Sequence, residues 1–385
     1  MTSSALSETT SQDRIQWIRL SSCYLPLARP ISDAKVLTGR QKPMTEVAML
    51  FAEIQTRDGH WGLGLSYAKR AGGPGQFAHA SEIAPTLLGE DPSDIARLWT
   101  RMCWAGASVG RSGLAVQAIA AFDVALYDIK ARRAGLPLSK LLGSQRESVR
   151  CYNTSGGFLH TPLDELKRNA SASLERGIGG IKLKVGQPDC AMDIRRVEAM
   201  RAHLGDAAPI MVDANQQWDR PTAQRMCRVF EEFNLVWIEE PLDAYDHEGH
   251  AALAARFDTP IATGEMLTSA AEHGDLIRHR SADFLMPDAP RVGGITPFLQ
   301  IAAQAELAHL SLAPHFAMEL HVHLAATCAN EPWVEHFDWL EPLFNERLEI
   351  ANGRILVPTR PGLGLSLSEQ ARRWTRESVE FGERG

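Results

Sequence analysis

The sequence predicts an α/β fold, a modified (β/α)7β barrel of the TIM type that carries an α+β capping domain. From about Val149 onward, short apolar runs alternate with amphipathic helical stretches, whereas the first third of the chain mixes hairpin-like and helical patterns. Acidic residues end three consecutive apolar runs, one βα unit apart. The 385 residues accommodate a barrel of roughly 250 residues and a smaller partner domain.

The predicted organisation has four segments. Residues 1–12 are rich in Ser and Thr and are expected to form a disordered tail. Residues 13–140 are assigned to the α+β capping domain and residues 141–340 to the barrel. Residues 341–385 follow as a C-terminal segment.

The capping segment shows one hairpin, two helical patterns and two long loops. The apolar run EVAMLFAEIQT leads into a turn at Asp58-Gly59, and helical periodicity covers residues 93–104 and 114–133. Two polar, Gly-rich stretches are predicted to be loops, RPISDAKVLTGRQKP at 29–43 and SYAKRAGGPGQ at 66–76. Long loops in compact domains often serve as lids or binding loops.

The barrel prediction rests on a series of strand-like runs separated by helical stretches. A doubly wound sheet is the alternative, but no GxGxxG fingerprint follows a strand here. The seven runs are 149–155, 180–185, 209–215, 235–240, 260–265, 283–288 and 310–315, and WVEH at 333–336 is a weaker eighth.

Composition excludes several classes of partner. The formal net charge of −7 gives no overall basic character for binding nucleic acid or an anionic membrane. The N-terminal residues lack the apolar segment of a secretory signal, and no run of about 18 apolar residues suggests a membrane span. The six cysteines have no CxxC or zinc-type spacing. We therefore expect a cytoplasmic protein with a small-molecule ligand.

Three acids end consecutive strand-like runs and predict a metal site. Asp213, Glu239 and Glu265 are each separated by one βα unit, and the C-terminal strand ends of a barrel converge at one mouth. Three convergent carboxylates repel one another unless a cation joins them, and oxygen donors suit Mg²⁺. Each acid alone could instead cap a following helix. The shared spacing favours the metal.

Lysines and a histidine flank these acids. Lys182 and Lys184 are two residues apart on one strand, so both should point into the barrel mouth, where each lowers the pKa of the other and favours a neutral, basic amine. On the other side, Asp288 and His315 end adjacent strands, where the carboxylate would orient the imidazole.

Two further features of the last third of the chain bear on its chemistry. Glu335 in WVEHF is a plausible donor of a hydrogen bond to a substrate carboxylate if it is protonated. The pair His321 and His323 would suggest zinc on a strand, but their segment is helical, and residues i and i+2 of a helix cannot share a metal. We therefore interpret them as core or surface histidines.

Together these positions resemble the mandelate racemase branch of the enolase superfamily, over nearly the whole chain from about Ile15. The resemblance implies a capping domain formed by the N-terminal part and the C-terminal tail on a (β/α)7β barrel. Enolase-superfamily sites combine a Lys or His base with Mg²⁺. The cap loops and the segments NTSGGFLH and ATGEMLTS are similar, more narrowly, to those of dehydratases of L-talarate and galactarate.

The resemblance implies a mechanism. Mg²⁺ would chelate a substrate carboxylate and stabilise the enediolate formed when Lys184 takes the α-proton. Lys182 would tune the pKa of Lys184 and touch the carboxylate. His315, held by Asp288, would protonate the departing β-hydroxyl to give a 5-keto-4-deoxy aldarate. Since both faces carry a base, epimerisation could accompany the elimination.

The cap loops should set specificity, because a second carboxylate on the substrate requires cations near it. This favours a six-carbon diacid sugar, an aldarate, over a monoacid. Solvated loop lysines are the simpler interpretation of such residues in general. The predicted substrate-binding residues are Asp33, Ala34, Lys35, Lys69, Arg70, Lys182, Asn215 and Glu335.

Three alternatives stay open at this point. The same two bases would suffice for a racemase or epimerase without dehydration, or for dehydration of a monoacid sugar. An inactive barrel that serves as a binding protein is the alternative from another class, although such a protein has no need of a complete set of bases. The resemblance also implies a homo-oligomer.

Overall fold

The computed structural model describes residues 13–154 and 156–384. The predicted disordered tail, residues 1–12, lies outside the described residues. The strands are β1 (Ile15–Ile31), β2 (Met44–Thr56), β3 (Trp61–Lys69), β4 (Ser148–Asn153), β5 (Ile181–Lys184), β6 (Ile210–Asp213), β7 (Ile238–Glu239), β8 (Ile261–Thr263), β9 (Phe284–Leu285), β10 (Ser311–Leu312), β11 (Trp333–His336), β12 (Ile350–Ala351), β13 (Arg354–Leu356) and β14 (Thr375–Gly382).

The α-helices are α1 (Ala34–Leu37), α2 (Gly73–Ile83), α3 (Ile95–Ala105), α4 (Leu114–Arg133), α5 (Leu138–Leu141), α6 (Leu163–Glu175), α7 (Cys190–Leu204), α8 (Arg220–Phe230), α9 (His247–Ala254), α10 (Ala270–His279), α11 (Ala289–Val292), α12 (Ile295–Leu307), α13 (Met318–Ala325) and α14 (Glu369–Arg373). Short 3-10 turns lie at Ala84–Leu87, Ala107–Val109, Glu231–Phe233 and Glu341–Leu343. In the described ranges no helix has the length and apolar character needed to span a membrane.

An antiparallel sheet with the order β14-β1-β2-β3 forms the capping domain together with α2, α3 and α4. The predicted hairpin joins β2 to β3, with Gln55 opposite Trp61, and the two predicted helices correspond to α3 and α4. β14 brings the C-terminal segment back along β1. The predicted α+β cap is therefore confirmed.

The two predicted long loops are shorter than expected. The first overlaps the end of β1 and contains α1, and the second consists largely of β3 and α2. β3 continues to Lys69 because its backbone pairs with β2 up to Val47. α2 begins at Gly73 because Pro74, at the first positions of a helix, costs no intrahelical hydrogen bond and favours the helical φ.

β3 and α4 pack at unusually close range. A Cβ atom placed on Gly64 would lie 1.8 Å from the carbonyl oxygen of Ala121, and one on Gly62 would lie 2.3 Å from that of Ala125. Glycine on the strand and alanine on the helix thus allow the two backbones to touch. α4 also packs on α11 and α12 of the barrel. The close contact with α4 therefore attaches β3, and with it the sheet of the cap, to the barrel.

Parallel strands β4 to β10 follow one another around the barrel, and β11 pairs with β4. The barrel and its weaker eighth strand are confirmed. Within the described residues no backbone ladder joins β10 to β11, and a side chain crosses this seam instead, because the Phe316 N–H donates to the Glu335 carboxylate at 2.9 Å. The hairpin β12–β13 extends the sheet antiparallel to β4.

Candidate active site

Three carboxylates meet at the C-terminal ends of β6, β7 and β8. Asp213 lies opposite Glu239 in the sheet register, and Glu265 follows β8 by two residues. One oxygen of each lies within 4.8 Å of the others, and all three side chains are buried. Burial and the Asp213 carboxylate raise the pKa of Glu239 well above its ordinary value. This all-oxygen donor set fits a hard cation such as Mg²⁺.

Helix capping does not explain these acids. The helices that follow their strands begin later, and other side chains cap them by accepting backbone N–H bonds. Asp219 caps α8, Asp246 caps α9 and Ser269 caps α10. The three strand-end carboxylates therefore have no capping role that would account for their burial.

The two lysines of β5 point into the same site. Lys182 is fully buried, with its Nζ 2.7 Å from Glu239 and 2.8 Å from Glu335. Lys184 donates a hydrogen bond to Asp213. The expected mutual lowering of pKa is wrong as a net effect. Burial does lower both values, but the carboxylates outweigh it, so that the pKa of Lys182 lies well above its usual value and that of Lys184 is raised.

On the opposite side of the site, His315 and Asp288 form a dyad. His315 Nδ1 lies 2.7 Å from Asp288 Oδ2, which fixes Nδ1 as the donor because an ionised carboxylate only accepts. Burial alone would raise the pKa of Asp288, but its hydrogen bond to His315 holds the value below the ordinary one. His315 Nε2 faces the carboxylate triad, 3.5 Å from Glu265.

Glu335 corrects a prediction. It was expected to donate a hydrogen bond, but it accepts from the Thr154 hydroxyl at 2.7 Å and from the Phe316 N–H at 2.9 Å, and pairs with Lys182. Although burial raises the pKa of this carboxyl, Lys182 and His315 lower it more, to about 2. Glu335 is thus an ionised acceptor. It pairs with Lys182 and connects β11 to the segment that follows β10.

Cationic residues of the cap cover the site. Arg70 pairs with Asp33 at 2.9 Å, and the Asp33 carboxylate accepts from the backbone N–H of Lys35 at the start of α1. Lys69 Nζ lies 3.3 Å from His315 Nε2 and 4.0 Å from the centre of the Phe316 ring. Burial lowers the pKa of Lys69 to about 8. The cap thus brings positive charge directly above the barrel mouth.

A single cavity contains most of the predicted site. Lys182, Asp213, Glu239 and Asp288 lie behind its wall, and Ala34 is the first residue of α1. The predicted residues that line the cavity are Asp33, Lys35, Lys69, Arg70, Lys184, Asn215, Glu265, His315 and Glu335.

Asn215 lines the cavity, as expected, but not from the strand position that the sequence predicts. It is not on the strand, because β6 ends at Asp213 and Asn215 has a left-handed φ of 45°. Its Nδ2 donates to Asp213 at 3.1 Å. The side chain therefore orients the Asp213 carboxylate as well as lining the cavity.

Among the residues that sequence reasoning missed, two contact Asp288. Tyr67, on β3 of the cap, donates a hydrogen bond to Asp288. Arg291 lines the cavity, donates its backbone N–H to Asp288 at 3.1 Å and donates from Nη2 to the Met266 carbonyl at 3.2 Å. Arg291 could have been suspected from its position three residues after Asp288, whereas no local pattern identifies Tyr67.

The histidine pair His321 and His323 lies on α13, as predicted, and both side chains are buried. Burial lowers the pKa of each to about 4, so both rings are neutral. His321 accepts from the Ala289 N–H at 3.0 Å. His323 Nε2 lies 3.1 Å from the Leu363 carbonyl. They are core histidines.

Two family models match the chain. The one described as "Mandelate racemase / muconate lactonizing enzyme, N-terminal domain" matches residues 35–143, and "Enolase C-terminal domain-like" matches residues 165–371. The chain is 66% identical over 372 residues to L-talarate/galactarate dehydratase of Salmonella typhimurium, an alignment that covers 97% of this chain and 94% of the relative.

Two solved structures are similar to the chain over nearly its whole length. L-talarate dehydratase from Polaromonas sp. JS666, complexed with Mg and L-glucarate, is 80% identical with a TM-score of 0.95, covering 97% of this chain and 100% of that one. L-talarate/galactarate dehydratase from Salmonella typhimurium LT2, liganded with Mg and L-lyxarohydroxamate, is 64% identical with a TM-score of 0.98, covering 100% and 98%.

Proposed function

Because the chain belongs to the mandelate racemase branch of the enolase superfamily, we propose that it is a Mg²⁺-dependent hydro-lyase that dehydrates the six-carbon aldarates L-talarate and galactarate. The main support for the proposal is that two groups able to transfer protons flank the carboxylate triad. Lys184 contacts Asp213 at one end, and His315 lies 3.5 Å from Glu265 at the other. The relatives that are named as dehydratases and solved with Mg support it.

The triad of Asp213, Glu239 and Glu265 would hold the metal. When bound, Mg²⁺ supplies the positive charge that neutralises these carboxylates and stabilises the negative charge developing on a substrate carboxylate as its α-proton leaves. Lys182, wholly buried between Glu239 and Glu335, contributes a fixed positive charge to the same region.

Lys184 and His315 divide the proton transfers. In its neutral form, Lys184 Nζ takes the proton from the α-carbon, and the electron pair of that C–H bond moves onto the substrate carboxylate to give an enediolate. The enediolate then forms a carbon–carbon double bond as the β C–O bond breaks. His315 Nε2 gives its proton to the departing hydroxyl, which leaves as water. The resulting enol tautomerises to the 5-keto-4-deoxy aldarate. Proton return from the His315 side would instead invert the α-carbon, so epimerisation is expected as a side reaction.

Charge in the cap favours a diacid over a monoacid. Lys35, Lys69 and Arg70 line the cavity, and Arg70 is already paired with Asp33. A second carboxylate on the far end of the substrate would meet the two remaining ammonium groups and form charge-assisted hydrogen bonds. An aldonate would offer Lys35 and Lys69 no second carboxylate.

A panel of acid sugars tests the proposal. The chain is incubated in D₂O with Mg²⁺ and L-talarate, galactarate or the matching aldonates. The keto product and the deuterium in the recovered substrate are measured. We expect keto product from the two aldarates and at least ten-fold less from aldonates. Deuterium incorporation without keto product would indicate a racemase, and turnover of the aldonates alone would indicate a monoacid dehydratase. No turnover of any acid would leave only a binding protein.

A further inference from the structure

The carboxylate of Asp288 receives hydrogen bonds from three directions. His315 Nδ1–H reaches Oδ2 at 2.7 Å, and the backbone N–H of Arg291 reaches Oδ1 at 3.1 Å. The third donor is the hydroxyl of Tyr67, which contacts the same Oδ2 as the imidazole. Asp288 thus has Oδ1 held by the barrel backbone, while Oδ2 accepts from both the barrel imidazole and the cap hydroxyl.

Tyr67 comes from strand β3 of the capping domain and is 1% exposed. Burial and the adjacent Asp288 raise the pKa of its hydroxyl well above the ordinary value, so the group is protonated and acts as a donor. Its ring packs edge-on against Phe316, with centroids 4.8 Å apart. The neighbouring Ser66 hydroxyl donates to the Pro290 carbonyl at 3.3 Å, which attaches β3 to the same segment.

Lys69 lies on the same face of β3, two residues after Tyr67. Its Nζ is 3.3 Å from His315 Nε2, while Tyr67 Oη is 3.4 Å from Nδ1. One strand of the cap therefore reaches both nitrogens of a histidine that is carried by the barrel.

We propose that Tyr67 is a positioning residue for the elimination step, acting through Asp288 to hold the His315 ring with Nε2 toward the departing hydroxyl. The inference rests on the proposed function, in which His315 gives its Nε2 proton to that hydroxyl as the C–O bond breaks. Lys184 lies at the other end of the triad and does not depend on Tyr67. The hydroxyl of Tyr67 should thus matter for elimination and not for α-proton removal.

The substitution Tyr67→Phe separates the two steps. It keeps the ring on Phe316 and removes only the donor, so that Asp288 keeps a single side-chain donor and the imidazole loses its fixed orientation. Misplacement of a catalytic group by about 1 Å can cost about 100-fold in rate. We expect elimination to fall by about 10- to 100-fold, with exchange of the α-proton within about two-fold of wild type.

The assay uses the Mg²⁺-loaded full chain with galactarate in D₂O and measures keto product and deuterium in recovered substrate. The ratio of deuterium to keto product should rise by about ten-fold or more in Tyr67→Phe. The matched control is Tyr24→Phe on β1, which should leave the ratio unchanged. A general structural defect lowers both rates together, so an unchanged ratio in Tyr67→Phe overturns the inference.

The double variant Tyr67→Phe/His315→Asn gives a second test. If Tyr67 acts only through His315, its substitution does not lower further the residual rate of keto-product formation that His315→Asn retains. An additive loss contradicts the inference.

A readout without turnover separates this inference from the proposed function. The His315 Nδ1–H proton, assigned by its loss in His315→Asn, should change chemical shift in Tyr67→Phe and not in Tyr24→Phe. If wild type yields no keto product from either aldarate, the proposed function fails, while a shifted resonance still supports the positioning role and an unshifted one refutes it.

Discussion

At the scale of single residues, two buried glutamates of the barrel show how partners decide protonation. Glu335 is surrounded by Lys182, the Thr154 hydroxyl and a backbone N–H, and its pKa falls to about 2. Neither oxygen of Glu319 has a hydrogen-bond partner among the described residues, and burial raises its pKa to about 8. The first is a fixed charge, and the second is a neutral acid below about pH 8.

Glu319 gives a pH-dependent prediction. Between its ordinary pKa of 4.5 and about 8, the folded chain keeps the Glu319 proton while the unfolded chain releases it. The folded state then binds more protons, so this group lowers the free energy of unfolding by about 1.4 kcal/mol for each pH unit across that window. Glu319→Gln should remove this slope and become more stable than wild type at pH 8.

Urea unfolding of wild type and Glu319→Gln at pH 5 and pH 8 measures the difference, with Glu306→Gln on the exposed side of α12 as control. The control should follow wild type. A Glu319→Gln stability that falls with pH as steeply as wild type would show that this carboxyl does not retain its proton in the fold.

Tyr67 shows why some residues of a site escape sequence reasoning. The proposed metal ligands and bases all end strand-like runs, so their convergence follows from the barrel. Tyr67 is 221 residues from Asp288, in a different domain, and no rule of spacing connects them. The charge state of Glu335 could not be predicted from the sequence either, because it depends on Lys182 and His315, which come from other strand ends of the barrel.

At the scale of elements, the eight strand-like runs each contain a strand, yet the strands are short, and β7 comprises only Ile238 and Glu239. Apolar runs mark the buried segment, whereas the strand proper ends where the backbone bends into the site. Asn215, Gln216 and Glu240 have a left-handed φ just beyond these strand ends. Residue type does not specify such local backbone geometry at a functional site. The direction of each side chain therefore could not be predicted from the sequence.

The contact between β3 and α4 predicts that alanine substitutions at two glycines of the cap differ strongly in their effect on stability. Gly64→Ala places Cβ against backbone atoms of α4, which cannot move without shifting the cap. We expect a loss of at least about 3 kcal/mol in the free energy of unfolding, in the upper range for single substitutions. Gly75→Ala in α2 meets only side-chain atoms at 3.5 Å and should be neutral or stabilising by up to about 1 kcal/mol.

Chemical unfolding of both variants against wild type gives these values. Similar stabilities for the two variants would mean that β3 and α4 tolerate a wider spacing than the structure shows.

At the scale of the whole molecule, the metal should link the site to stability. A ligand that binds only the folded chain stabilises it by about 2.7 kcal/mol at 100 times its Kd. Raising Mg²⁺ from zero, in EDTA-treated protein, should therefore raise the Tm. Glu239→Gln should abolish most of the Mg²⁺-induced shift, while Glu248→Gln on the exposed side of α9 should preserve it. A shift of wild-type size in Glu239→Gln would place the metal elsewhere.

Isotope exchange in two variants tests most directly whether Lys184 and His315, on opposite sides of the carboxylate triad, carry out different proton transfers. Wild type, Lys184→Ala and His315→Asn are incubated with Mg²⁺ and galactarate in D₂O, and deuterium in the substrate and keto product are quantified together. We predict that Lys184→Ala loses both signals by about 10²- to 10⁴-fold, whereas His315→Asn loses the keto product and still exchanges the α-proton. Full keto-product formation by either variant, or exchange that persists in Lys184→Ala and vanishes in His315→Asn, would contradict this assignment.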